Sequence, residues 1–407
     1  MVRKILLVVI PASLYFFSHF HRVNMNVIAD NLMNDFFASA TLVGLLSSMY
    51  FYFYAFIQIP IGTLNDTIGP GKTMFLFSTL SIIGVIIFAL STNIYMAMMG
   101  RILIGIGVGA PWVSGLKLFS EWIKEENYAS VSGALASSGY LGAIAATIPF
   151  AYMVLLLGWR TALILIAIIM IIPTLICWLI ARPARNRRDE KKALMSLADI
   201  KHVIRDKSFL LLNFWMIFNY SSSMVYQGIW GIPYIMQVYD LDKASASGIV
   251  MLAPISGLIC APLFGLISDR ILHDRKKVIV FATILNITSW TLLTSRTDSL
   301  SLFELYLTSA LTGASISAIP ISFTIIRENY PSRIYGTISG VYNMLPFISA
   351  ALYQPITGYI LDSFKHEGIY PIQAYRFMYL FLLISSIIAL ISSTLIKTRK
   401  RINSHSD

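Results

Sequence analysis

Gly62-Thr-Leu-Asn-Asp66-Thr-Ile-Gly69-Pro-Gly-Lys72 is a short polar break between two apolar runs, and its core returns as Gly265-Leu-Ile-Ser-Asp269. The offset between the two copies, 62 to 265, is 203 residues. Two further pairs follow in the same order. Leu103-Ile-Gly105 with Pro111 returns as Leu311-Thr-Gly313 with Pro320, at offsets of 208 and 209. Tyr128-Ala-Ser-Val-Ser-Gly133 returns as Tyr335-Gly-Thr-Ile-Ser-Gly340, at an offset of 207. Three ordered matches at nearly one offset mark a chain built from two parallel repeats, each about half its length.

The runs around these breaks set the class. Of 407 residues, 57% are hydrophobic and 13% charged, with a mean hydropathy of +0.71. A soluble domain carries about 25% charged residues, so the outer surface here is itself apolar and meets lipid. A bilayer core needs about 20 apolar residues per helix. That length predicts spans near 5–27, 41–61, 73–92, 96–118, 129–151 and 159–181, then near 209–236, 246–268, 277–295, 301–325, 336–359 and 374–396. The fold class expected is an all-α membrane protein of twelve transmembrane helices in two six-helix pseudo-repeats. The halves are residues 1–181 and 209–396, joined by a cytoplasmic linker, 182–208, and followed by a cytoplasmic tail, 397–407. Met1-Val-Arg-Lys before an apolar run has the look of a signal peptide, but no small-residue cleavage site follows and it reads as the first span.

The formal net charge of +11 does not indicate nucleic acid, because the basic residues fall between spans. With the N-terminus in the cytoplasm, 24 of the 31 Lys and Arg lie in inside segments, nine of them in the linker. Both termini are therefore expected inside, in a multi-pass protein of the cell (inner) membrane. Cys177 and Cys260 lie in apolar runs and read as small buried hydrophobes, so no disulfide framework, metal site or cofactor is expected.

Gly62-x-x-x-Asp66-x-x-Gly69-x-x-Lys72 resembles the signature loop of the major facilitator superfamily, and Gly265 to Lys277 is its second copy, with Asp269, Arg270 and Arg275. Thr67 and Gly71 stand where that family usually has basic residues. Gly100-Arg101-x-x-x-Gly105-x-Gly107-x-Gly109 is similar to the family's helix-four motif, and the resemblance extends over essentially the whole chain. It implies secondary transport by alternating access, with Asp66, and after it Asp269, in a gating contact; a plain helix cap is the simpler reading. Arg101 is either a gating or a structural residue, Lys117 a snorkelling one, and the glycines allow close helix packing.

Ionisable residues inside spans mark functional sites. Tyr15, Ser18, His19, Arg22 and Asn26 recur at helical spacing on one face of the first span, and Arg22 offers a planar fork for a carboxylate or phosphate. The alternative is an Arg22 snorkelling at the outer interface. Tyr15 to Leu32 also resembles the first helix of organophosphate:phosphate antiporters and of organic-anion, phthalate-permease-like porters, which implies that Arg22 binds an anion. The second arginine those antiporters place in helix seven is missing from Asn219 to Tyr234, so a monocarboxylate or an amino-acid-like zwitterion is favoured over a phosphate ester. Nitrate is disfavoured, since Ser132 to Gly139 lacks the Asn-rich glycine signature of nitrate porters. Further pocket residues are Tyr50, Tyr54, Gln58, Trp112, Tyr226, Gln227, Trp230, Asn343 and Gln354, each also readable as an interhelical contact.

Glu304 sits near a span end and no acid lies at mid-depth, which leaves His19 and His21 as groups able to take a proton, against a reading as plain hydrogen-bonding histidines. The expected partners are a small, anionic solute, the bilayer and protons, for a monomeric chain. Efflux of amphipathic drugs is the alternative within the fold; Pro149 does not follow a glycine, which favours import. A receptor without turnover would need a signalling domain that neither linker nor tails can hold. HExxH, Gly-x-Ser-x-Gly and phosphate-loop motifs are absent, so no enzyme activity is expected.

Overall fold

The computed structural model describes residues 2–180, 203, 205–330, 332–366 and 370–396. These form twelve helical spans. The first six are α1 (Val2–Val23, continued past Asn24 as Met25–Asp35), α2 (Ala40–Thr67), α3 (Pro70–Ala89), α4 (Ile94–Gly107, then Ala110–Trp122), α5 (Glu125–Ala145) and α6. The helix Ile148–Ile180 turns at Gly158, where φ is 76°, so that 148–157 completes α5 and 159–180 is α6. The last six are α7 (Lys207–Val225, a π-turn at Tyr226–Trp230, then Gly231–Tyr239), α8 (Lys243–Leu266 with a π-turn at Ile267–Ile271), α9 (Arg275–Ser295), α10 (Leu302–Ile316, then Ile319–Asn329), α11 (Ser332–Ser363) and α12 (Ile372–Leu395). Every expected span overlaps one of these helices. Most of the expected linker and all of the tail lie outside the described residues.

Among the described residues, ten helices are long and apolar enough to cross a membrane by themselves. The two spans that miss the mark, α5 and α7, are rich in Ser, Gly and Asn. Large apolar side chains such as Leu156, Ile59 and Phe303 stand exposed around the bundle, as lipid contact requires. Several helices run beyond the expected bounds because caps hold their ends. Asn93 caps α4, Asp242 caps α8, and Ser301 with Glu304 forms a capping box on α10. Glu304 also pairs with Arg296, which occupies the acid that sequence alone left open.

Small residues let the backbones meet. A Cβ on Gly105 would sit 2.5 Å from the Tyr50 carbonyl of α2, and Gly107 abuts Ser81 of α3. Gly313, the repeat partner of Gly105, presses in the same way on Ala253 of α8. Pro111 and Pro320 each stand at the start of a helix just after the break in α4 and α10. The sequence repeat is thus a repeat of packing, with the same glycine and proline doing the same job twice.

The turns after Asp66 and Asp269 lie at one end of the bundle, the loop end. Gly69, at φ 93°, makes the first of these turns in a conformation that only glycine adopts cheaply. Lys117 forms an ion pair with Asp66 at this end. In the second copy Arg275 reaches Asp269 at 2.5 Å and Glu328 of α10 at 3.0 Å. Lys72 and Arg270 are both exposed.

Candidate functional site

Four tyrosines and a histidine gather around one buried arginine at the junction of α1, α2, α7 and α11. Arg22 is 7% exposed. Its guanidinium lies 5.3 Å from the ring centre of Tyr54 and 4.9 Å from that of Phe347, and Nη1 is 3.2 Å from His19 Nε2. Tyr15, Tyr50 and Tyr220 complete the surround. Nε and Nη2 have no hydrogen-bond partner, and among the described residues no Asp or Glu pairs with Arg22. Cation–π contacts are worth about 0.5–2 kcal/mol each, too little to offset the several kcal/mol of a desolvated charge. Among the described residues no acid balances this charge.

Further unpaired polar atoms lie one layer away. Gln354 is fully buried with both amide atoms unpartnered, and Gln227 Nε2 is likewise unpartnered. Gly228 lies between Gln354 and the backbone of Arg22. Gln227 follows Tyr220 by seven residues and Gln354 follows Phe347 by seven, so each pair shares a helical face about 10 Å apart along the axis. A cation at one level and two amides at the next could receive an anion whose body carries hydroxyl groups.

The other expected contacts divide. Trp112 stacks on Tyr15 at 5.0 Å, and Tyr15 meets His19 edge-on at 4.6 Å, so α4 and α1 share one wall. Tyr50 donates to the Ser18 carbonyl at 2.8 Å and lies under Arg101. Gln58 bonds the Tyr54 carbonyl one turn nearer the loop end, and Asn343 stands half-buried one turn from Phe347 on the same side. Asn26 is engaged elsewhere. Its amide donates to the carbonyls of Tyr226 and Gln227 at 2.8 and 2.9 Å and accepts from Ile232 N at 2.8 Å, filling gaps that the π-turn leaves in α7. Tyr226 bonds Ser309 at 2.6 Å and Trp230 bonds Thr357 at 3.1 Å, which braces the wall. Arg101 is fully buried, with Nη1 on the His21 carbonyl at 3.0 Å and Nε and Nη2 unpartnered.

Tyr220 and Phe347 escaped sequence reasoning. Their signal was spacing: Asn343, Phe347 and Gln354 recur on one face of α11, as Tyr220 and Gln227 do on α7.

A family model described as Major Facilitator Superfamily matches residues 12–353 and 218–406. The chain belongs to the major facilitator superfamily. It is a multi-pass secondary transporter of the cell membrane, with a small-molecule substrate and no enzyme activity. Among curated relatives, the hexuronate transporter of Bacillus subtilis is 23% identical over 87% of this chain and 88% of its own. The probable L-galactonate transporter of Escherichia coli is 22% identical over 85% and 80%. The probable sulfoacetate transporter SauU of Cupriavidus necator is 22% identical over 63% of each chain. Among solved structures, a point mutant of the nucleoside transporter NupG superimposes with a TM-score of 0.79 at 13% identity, covering 96% of this chain and 99% of that one. A bacterial homolog of the lysosomal transporter Spinster gives 0.75 at 15%, covering 96% and 97%. These structures establish the shared fold.

Proposed function

We propose that this transporter moves a small organic acid, of the sugar-acid or sulfocarboxylate kind, with its anionic group on Arg22 and its hydroxyls on Gln227 and Gln354. One observation carries the reading: a buried guanidinium with two unpaired N–H-bearing atoms and no acidic partner among the described residues. A neutral or cationic cargo would leave that charge uncompensated. The names of the relatives, hexuronate, L-galactonate and sulfoacetate transporters, agree in chemistry. The carboxyl is read as a single strong contact, because the other buried arginine, Arg101, is screened from Arg22 by the Tyr50 and Tyr54 rings.

The two six-span sets, 1–181 and 209–396, act as rocking bodies on this reading, joined by the segment 182–208. The distribution of basic residues supports a cytoplasmic loop end on this reading. Asp66 with Lys117, and Asp269 with Arg275 and Glu328, then sit where gating contacts are needed. Movement of the acid is coupled to protons, and import is the favoured direction.

The test is uptake into proteoliposomes of labelled L-galactonate, D-glucuronate, D-glucarate and sulfoacetate, beside neutral sugars, by wild type and Arg22→Ala. The expected result is entry of at least one acid and a loss of a hundredfold or more in the variant. Entry of neutral sugars alone, or normal transport by Arg22→Ala, would return Arg22 to a structural role.

A further inference from the structure

His19 lies one turn from Arg22 on the same face of α1, and the 3.2 Å contact between them fixes its state. A guanidinium has only donors and does not lose its proton in a protein. His19 Nε2 must therefore be the acceptor, which leaves the ring neutral with its proton on Nδ1. Nδ1 is buried and has no hydrogen-bond partner.

The surroundings offer this ring no other charge. From α1 it meets Tyr15 and Arg22; from α5, Gly139 presses on Nδ1 and Cε1, with Tyr140 the next residue. Trp112 of α4 lies beyond Tyr15, and Tyr50 and Tyr54 of α2 and Tyr220 of α7 face Arg22 rather than the ring. No carboxylate is among these groups. His21, two residues on, turns away, with Nε2 3.4 Å from Met170 Sδ and Nδ1 3.4 Å from Asn24 Nδ2. The site thus pairs a permanent cation with one imidazole.

We propose that His19 is the proton carrier of this transporter, protonated only while an organic anion occupies Arg22. The inference rests on the organic-acid reading given above. In the empty site a proton on Nε2 would cost the hydrogen bond and place two cations side by side. An anion on the guanidinium removes both penalties: Nη1 turns to the anion, Nε2 is freed, and the anion attracts the second charge. The proton enters from water on the open side and bonds to Nε2, whose lone pair accepts it. After the bundle opens on the other face, the anion departs, Arg22 takes back Nε2, and the proton leaves to water there. Charge closes for a monoanion. The empty site carries one positive charge from Arg22. The loaded site carries Arg22, the imidazolium of His19 and the anion, again one positive charge in all. Both forms cross with equal charge, so one proton and one monoanion move without net charge.

The experiment uses full-length protein in proteoliposomes with labelled D-glucuronate, with L-galactonate as the alternate monoanion and the dianion sulfoacetate for exchange only. Two readouts are taken: exchange at equal pH, and accumulation driven by an inward proton gradient with lumenal pH followed by a dye. His19→Gln should lose gradient-driven accumulation at least tenfold more than it loses exchange at equal pH, with no acid-dependent pH change; His21→Gln should keep both. His19→Asn is a second variant in case the first does not reach the membrane. A wild-type measurement backs both: adding D-glucuronate to weakly buffered, detergent-solubilised protein near pH 7.5 should take up close to one proton per chain at saturation. Undiminished gradient drive in His19→Gln or His19→Asn, or no proton uptake by wild type on binding, overturns the proton-carrier proposal while exchange still stands. Absence of exchange of every acid by wild type overturns the organic-acid reading itself.

Discussion

α2 and α11 run alongside one another, and each carries a glycine near either end. At the end opposite the loops a Cβ on Gly44 would lie 2.5 Å from the Gln354 carbonyl, and Gly358 abuts Ala40 just as closely. At the loop end nothing lies within 4 Å of the Cβ positions of Gly62 and Gly340, nor of Gly133 on α5 and Gly265 on α8. The same pair of helices is therefore in backbone contact at one end and apart at the other. Tyr54 and Phe347, with ring centres 4.5 Å apart, mark where they part, and Arg22 lies against both rings.

Polar contacts follow the same division. Opposite the loops, Asp362 of α11 accepts from the backbone of Ala40 and Thr41 at 3.0 and 2.8 Å and so caps α2 from across the bundle. Lys243 of α8 reaches Asp30 at 2.9 Å and Asn31 at 2.6 Å, and Asn26 bridges to α7. The ion pairs of Lys117 and Arg275 at the loop end stay within their own set of spans. At the end opposite the loops the two sets of spans are thus joined by contacts of two kinds, close packing and charged caps. With α2 and α11 apart at the loop end, the orientation proposed above makes this the state open to the cytoplasm.

The division can be broken by design. The largest effect is expected from Gly358→Trp, which no rotamer can fit against α2. Transport should fall at least a hundredfold, and spin labels at Phe37 and Lys365 should report a wider separation at that end. Asp362→Asn comes next. A hydrogen bond to a charged group contributes about 1.5–3 kcal/mol, so loss of the charge should shift the balance of states roughly tenfold or more toward the opposite one, read by labels at Thr67 and Leu272 moving together. Asn26→Ala removes three neutral bonds and leaves α7 carbonyls unpaired, and should shift it by about 1–3 kcal/mol in the same direction. Smallest is Gly340→Ala, within about 0.5 kcal/mol for this state because the Cβ meets open space. If Gly340→Ala nonetheless slows transport while leaving solute exchange by the open form intact, the loop end closes at that glycine in the other state.

Much of this was legible beforehand. The spans followed from run length, the repeat from Gly105 with Pro111 against Gly313 with Pro320, and Arg22 from its cost in a membrane. What escaped shares a cause. Asn26 looked like a cavity residue, since spacing places it on the Arg22 face; that its amide meets the π-turn of α7 depends on a residue about two hundred positions away. That Lys117 pairs with Asp66 depends likewise on a residue 51 positions away. Tyr220 and Phe347 carry no charge to draw notice, and only their meeting with Arg22 gives them a place in the site.

The sequence by itself determined the membrane class, the twelve spans, the repeated units and the family, because lipid imposes length and polarity on each helix separately and those are local properties. Tertiary structure alone decided which of the described polar groups are left without partners, how Arg22 meets His19, and at which end α2 and α11 touch. Those outcomes depend on distances of a few ångströms between helices far apart in the chain, and hydrogen bonds and packing contacts vanish over just such distances.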